Sequence, residues 1–151
     1  MKNISEAACL NEILTRLAHV RADSPRNWGR MNAHQMICHL NDSFSVAMGR
    51  KYASKAERQY GPVMKWLALN MPMKWPQGVP TRPEIDQEIG GTAPAIFAAD
   101  AQVVLALTRE FAATPRNFTF AAHPIFGNMT EAEWMRWAYL HTDHHLRQFS
   151  C

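Results

Sequence analysis

The sequence lacks any long apolar run, any block of like charge and any cysteine framework, and each absence excludes a class of protein. No apolar stretch approaches the roughly 18 residues a membrane-spanning helix needs, because Arg, Lys, Asp or Glu interrupts every one. The opening residues, Met1 to Glu6, are polar and carry no signal-peptide core, so a cytoplasmic, membrane-free protein is expected. Three cysteines, Cys9, Cys38 and Cys151, are an odd number without Cys-x-x-Cys spacing, which points to reduced thiols rather than a disulfide scaffold. Lys and Arg total 16 against 13 Asp and Glu, a net charge of +3 with the basic residues scattered. That pattern gives no footprint for a nucleic-acid partner. The seven glycines are dispersed, so no phosphate-cradling loop is present, and there is no Gly-x-Ser-x-Gly elbow. Repeats, low-complexity tracts and convincing strand alternation are also missing.

What is there suits a helical protein. At 151 residues the chain is expected to form a single domain, residues 1–151. Such a domain buries about 68–70% of its unfolded surface and needs no disulfide. Apolar steps of three and four residues from Ala7 through Leu10, Leu14, Leu17 and Ala18 predict a first helix, with Asn3 and Glu6 as its cap. A second is predicted from about Asn32 to Arg50, opened by an Asn32/Gln35 capping box. Gly61-Pro62 starts a short helix that Pro72 stops, and residues 71–91 form an irregular, proline-rich connection expected to serve as a lid or pocket wall. Thr92 is expected to cap a fourth helix whose apolar side holds Ile96, Val103, Val104, Leu107 and Phe111. Phe118 and Phe120 alternate with Thr119, which allows a short extended piece. Thr130 and Glu133 form the clearest capping box, opening the last helix. Four long helices and one short one make an all-α bundle.

The unusual feature is seven histidines. At about 100° per residue, one face of the last helix collects Trp134, Trp137, Ala138, His141, His145, Gln148 and Phe149. Asp143, Arg136 and Arg147 lie opposite, and His144 falls toward the edge of the stripe. Two imidazoles one turn apart in an aromatic stripe either find separate hydrogen-bond partners or share a metal ion. A facing helix can supply a third ligand, and His39, at the border of the second helix's apolar side, suits that role better than His34, which shares its side with Asn41 and Ser45. Asp42 and Ser43 could hydrogen-bond the ligand or a water. Cys38 points about 100° from His39 and is expected to be a core residue. His19 is expected to be structural at a helix end, and His123 to be a turn residue. Trp28 and Trp134 join residues 71–91 as candidates for the pocket wall.

Trp28-Gly29-Arg30-Met31-Asn32, His39-Leu40-Asn41-Asp42, the segment His123 to Trp134 and the segment His141 to Gln148 together resemble the DinB/YfiT-like metalloenzyme superfamily. Within it, the match is to a branch described only as a domain of unknown function. The resemblance implies a four-helix bundle of the DinB/YfiT-like type with an extra short helix. It implies metal ligands at His39, His141 and His145, with no ligand role for His144. The implied cofactor is a divalent transition metal, zinc or nickel. The implied activity is hydrolysis or thiol S-transfer on a small molecule, such as a low-molecular-weight thiol, in a protein that pairs as a homodimer. Founding members are known by their induction after DNA damage, so the alternative is a non-catalytic or stress-related bundle acting through a protein partner.

Overall fold

Helical periodicity dominates the structure, a computed structural model that describes residues 1–57 and 60–151. The helices are α1 (Ala7–His19), α2 (Ala33–Ala47), α3 (Pro62–Asn70), α4 (Phe97–Ala112) and α5 (Glu131–Arg147), with a 3-10 turn at Pro83–Ile85. α1, α2, α4 and α5 form the bundle and α3 is the extra short helix against α5. No strand occurs among the described residues; Phe118 and Phe120 lie in a loop, both packed on Phe111 at 5.8 and 5.3 Å between ring centroids. The core is apolar and continuous, with Ile13, Leu17, Met36, Ile37, Leu40, Phe44, Val104, Phe111, Trp134 and Leu146 at its centre.

Both capping boxes form, with the Asn32 and Thr130 side chains accepting from Gln35 and Glu133 N–H and those residues' side chains accepting in return. Pro62 occupies the first turn of α3, where its missing N–H costs nothing. Three predicted boundaries move. α2 ends at Ala47 rather than Arg50, because Gly49 turns to φ +70° and the Gly49 and Arg50 N–H groups close back on Val46 and Ser45. α1 has Glu6 at its cap without a side-chain bond; Asn3 instead folds its own turn, accepting from Ser5 N–H at 2.9 Å. Thr92 does not cap α4, which begins at Phe97; its N–H and hydroxyl both bond Asp42, at 2.8 and 2.6 Å.

The buried faces of α1 and α4 also turn relative to the predicted ones. Cys9, Ile13 and Leu17 are the buried line of α1, with Leu10 and Leu14 beside it. On α4, Leu105 and Thr108 go inside with Val104 and Phe111, while Ile96 and Val103 are exposed. Thr108 is tolerated there because its hydroxyl donates to Val104 carbonyl at 2.7 Å.

Candidate metal centre

α5 carries the site. Trp134, Trp137, Ala138, His145, Gln148 and Phe149 are buried as one stripe, and His141 keeps one edge open among them. Across from them α2 presents His39, almost fully buried. Ring centroids lie 4.6 Å apart for His39 and His145, 5.4 Å for His39 and His141, and 4.7 Å for His141 and His145. Each histidine offers one nitrogen to a group whose members all lie within 4.8 Å of one another.

The hydrogen bonds fix which nitrogens are free. His39 Nδ1 lies 2.9 Å from the Ile85 carbonyl, which only accepts, so Nδ1 carries the proton and Nε2 is bare. His145 Nδ1 lies 2.7 Å from Gln148 Oε1 and is protonated for the same reason, leaving its Nε2 bare as well. That Nε2 faces His141 Nε2 at 3.1 Å. With both rings neutral, His141 carries its proton on Nε2 and donates it to His145, a place that a cation could take instead.

Burial holds all three rings neutral: it pushes His39 down, and it pushes His141 and His145 well down, helped by their mutual repulsion. Three neutral imidazoles, two of them braced through Nδ1 by an oxygen, are the donor set that suits a divalent transition metal. Tetrahedral nitrogen ligation needs donors about 3.4 Å apart, so small ring rotations would complete it. The residues fit the ion.

Around the trio the chain builds a wall. Trp137 stacks on His141 at 4.8 Å and 18°, and Trp75 covers it at 6.3 Å, held by its own indole N–H on the Ala68 carbonyl at 2.7 Å. A cavity of about 880 Å³ opens on His39, His141 and His145 together. Residues from the 71–91 connection line much of it, with Trp28, Trp134, His123 and His144. The loop that carries Trp28 is anchored to the end of α5 by Asn27 N–H on the Gln148 carbonyl and Asn27 Nδ2 on the Arg147 carbonyl at 3.0 Å. Gly29 takes φ +87° there and lies so near Gln148 that a Cβ would come within 2.8 Å of its Nε2.

The other candidates separate cleanly. Asp42 and Ser43 do not brace His39 in the expected way. Asp42 is spent on Thr92, Gln87 Nε2 and the Lys51 ammonium, and Ser43 Oγ reaches only 3.5 Å from His39 Nε2. The brace is the Ile85 carbonyl, a main-chain group no residue pattern encodes. His144 stays outside the trio, its Nδ1 buried without a hydrogen-bond partner among the described residues. His123 is a buried turn residue, its Nδ1 accepting from Ile125 and Phe126 N–H at 3.1 Å each, and burial pushes it down to about 3. His19 bonds the Thr15 carbonyl at the end of α1. Cys38 is buried, and burial with the Asp100 carboxylate pushes its thiol up to about 12, which removes it as a nucleophile. Sequence reasoning missed that its partner is Asp100, and that His34 shares that carboxylate at 2.7 Å.

The protein is thus an all-helical bundle with a buried three-histidine group that could hold a metal. Its residues 5–151 match the family described as a protein of unknown function (DUF1569), and the chain belongs to that family. No curated protein and no solved structure matches it.

Proposed function

We propose that the protein is a metal-dependent enzyme acting on a small molecule at His39, His141 and His145. The observation that carries this reading is the placement of the trio: three histidines, two of them braced through Nδ1, at the wall of a cavity with no fourth His, Cys, Asp or Glu in the group among the described residues. A divalent ion held there, zinc or nickel, would lower the pKa of a water for hydrolysis or of a thiol for S-transfer. His39 and His145 orient the site through Ile85 and Gln148, and Trp75 with Trp137 shields it from bulk water. The wall suits a largely apolar organic substrate: Trp28, Met64, Met71, Val79 and Phe126 supply contact area.

One ligand on the second long helix and two at i and i+4 on the last also support placing the family within the DinB/YfiT-like superfamily. A cytoplasmic homodimer is part of the same proposal. A second reading is favoured by α3, where Val63 is 71% and Trp66 57% exposed. There the bundle works without catalysis, through a protein partner covering that face.

Elemental analysis of purified protein tests the leading reading. An ion lost alike in His39→Ala, His141→Ala and His145→Ala is expected, followed by turnover of hydrolysis or thiol-transfer substrates by the loaded protein. A chain that refuses zinc and nickel overturns it; metal binding without turnover on any substrate moves the weight to the partner-binding reading.

A further inference from the structure

A second cluster of ligand-type side chains lies where α2 meets α4, and none of its members lines the cavity. We propose that His34, Cys38 and Asp100 form a separate, sulfur-containing site for a zinc-like divalent cation that clamps α2 to α4.

The i, i+4 spacing puts His34 and Cys38 on one face of α2, and α4 brings the Asp100 carboxylate against both. One oxygen, Asp100 Oδ2, lies 2.7 Å from His34 Nε2 and 3.7 Å from Cys38 Sγ. All three donor atoms fall within 4.8 Å of one another. A tetrahedral zinc site with bonds of about 2.0–2.3 Å needs donors separated by about 3.4–3.7 Å, so the cluster must loosen slightly rather than rebuild. Asp100 is already aimed, since Ala95 N–H donates to the same Oδ2 at 3.2 Å. Phe97 packs its ring edge on His34 at 5.3 Å and limits rotation of the imidazole.

A further observation concerns the same face. Asn41, one turn beyond Cys38, donates its Nδ2 to the Asp100 carbonyl at 3.0 Å. Its Oδ1 is buried with no hydrogen-bond partner among the described residues, an unsatisfied oxygen on the same face of α2 as His34 and Cys38. Access is open at one side: the His34 and Asp100 side chains keep 18% and 20% exposure while Cys38 is fully buried behind them. Binding would release the Cys38 thiol proton to solvent, and the thiolate so formed, with an imidazole and a carboxylate, selects zinc or cobalt over magnesium and calcium. In the metal-free protein His34 and Cys38 both hydrogen-bond the Asp100 carboxylate, so the fold does not depend on the ion.

Cobalt distinguishes the two centres, because the three-histidine group contains no sulfur. Purified, reduced wild-type protein titrated with Co²⁺ is expected to develop a sulfur-to-cobalt charge-transfer band in the near ultraviolet. The band should persist in His145→Ala, vanish in Cys38→Ser, and require at least about tenfold more cobalt in Asp100→Asn. Circular dichroism checks that each variant is folded, and His34→Gln provides a second route should Cys38→Ser unfold. A saturated wild type with no sulfur band overturns the proposal, as does a band that survives Cys38→Ser and therefore belongs to Cys9 or Cys151. Failure of the three-histidine centre to bind metal would leave this band in place, so the two readings fail separately.

Discussion

His34 and His39 stand on the same helix and meet opposite chemistry. His34 faces α4 and shares a carboxylate with a thiol at the edge of solvent. His39 faces α5 and meets two more imidazoles in a buried, aromatic setting, with the Ile85 carbonyl on its Nδ1 and the Ser43 hydroxyl 3.5 Å from its Nε2. The first arrangement satisfies itself without help. The second has no carboxylate in the group, and its 3.1 Å contact between His141 and His145 Nε2 is held by one shared proton that a cation could replace. Residue type says little about a histidine's role; the charge of what it faces decides it.

Ligand removal should break this contrast most. His39→Ala is expected to weaken zinc binding at the trio by more than about 100-fold, while His34→Ala leaves that affinity within about twofold, both read by competition with a chromophoric chelator. Equal losses in the two variants would erase the distinction. Gln148→Leu comes next, because it removes the oxygen that holds the His145 proton on Nδ1; a loss of about 10–100-fold is expected by the same assay.

Gly29→Ala sharpens the comparison from the loop side. Positive φ and a Cβ pressed on Gln148 Nε2 should lower stability by about 1 kcal/mol or more, measured by urea unfolding, and loosen the brace on His145. The smallest effect concerns His123, a buried histidine with neither a carboxylate nor another imidazole as its hydrogen-bond partner. Its pKa is depressed to about 3 from an ordinary value near 6.5, so between those two pH values the unfolded chain binds a proton that the folded one refuses. The stability this represents is present above pH ~6.5 and is lost as pH falls toward ~3. His123→Asn keeps an acceptor for the Ile125 and Phe126 N–H groups without titrating, so its stability should fall less between pH 7 and pH 4; an unchanged slope would show that His123 is not part of the acid sensitivity.

The parts legible in the sequence are those governed by local periodicity. The α5 stripe, both capping boxes and the spacing of His141 and His145 follow from 3.6 residues per turn and from side chains bonding their own helix ends. His39 was also legible, as the histidine at the apolar border of α2. The misplaced polar side chains of the middle of the chain share a cause: each bonds a partner distant in the sequence. Thr92 looks like a cap and bonds Asp42 instead, and Asp42 looks like a brace for His39 yet is taken by Thr92, Gln87 and Lys51. His34 and Asn41 look like a polar side of α2 and Cys38 like a core residue, yet Asp100 bonds all three and makes that side an interface.

By itself, then, the sequence determined an all-helical bundle with two imidazoles projecting from one turn of its last helix, since helix periodicity and capping act within a few residues. The sequence marked His39 as the third candidate and residues 71–91 as a pocket wall; only the tertiary structure decided how near the three rings come and that the Ile85 carbonyl fixes the His39 tautomer. Those outcomes depend on which helix faces which and on main-chain groups brought together across the fold, where residue identity alone carries no information.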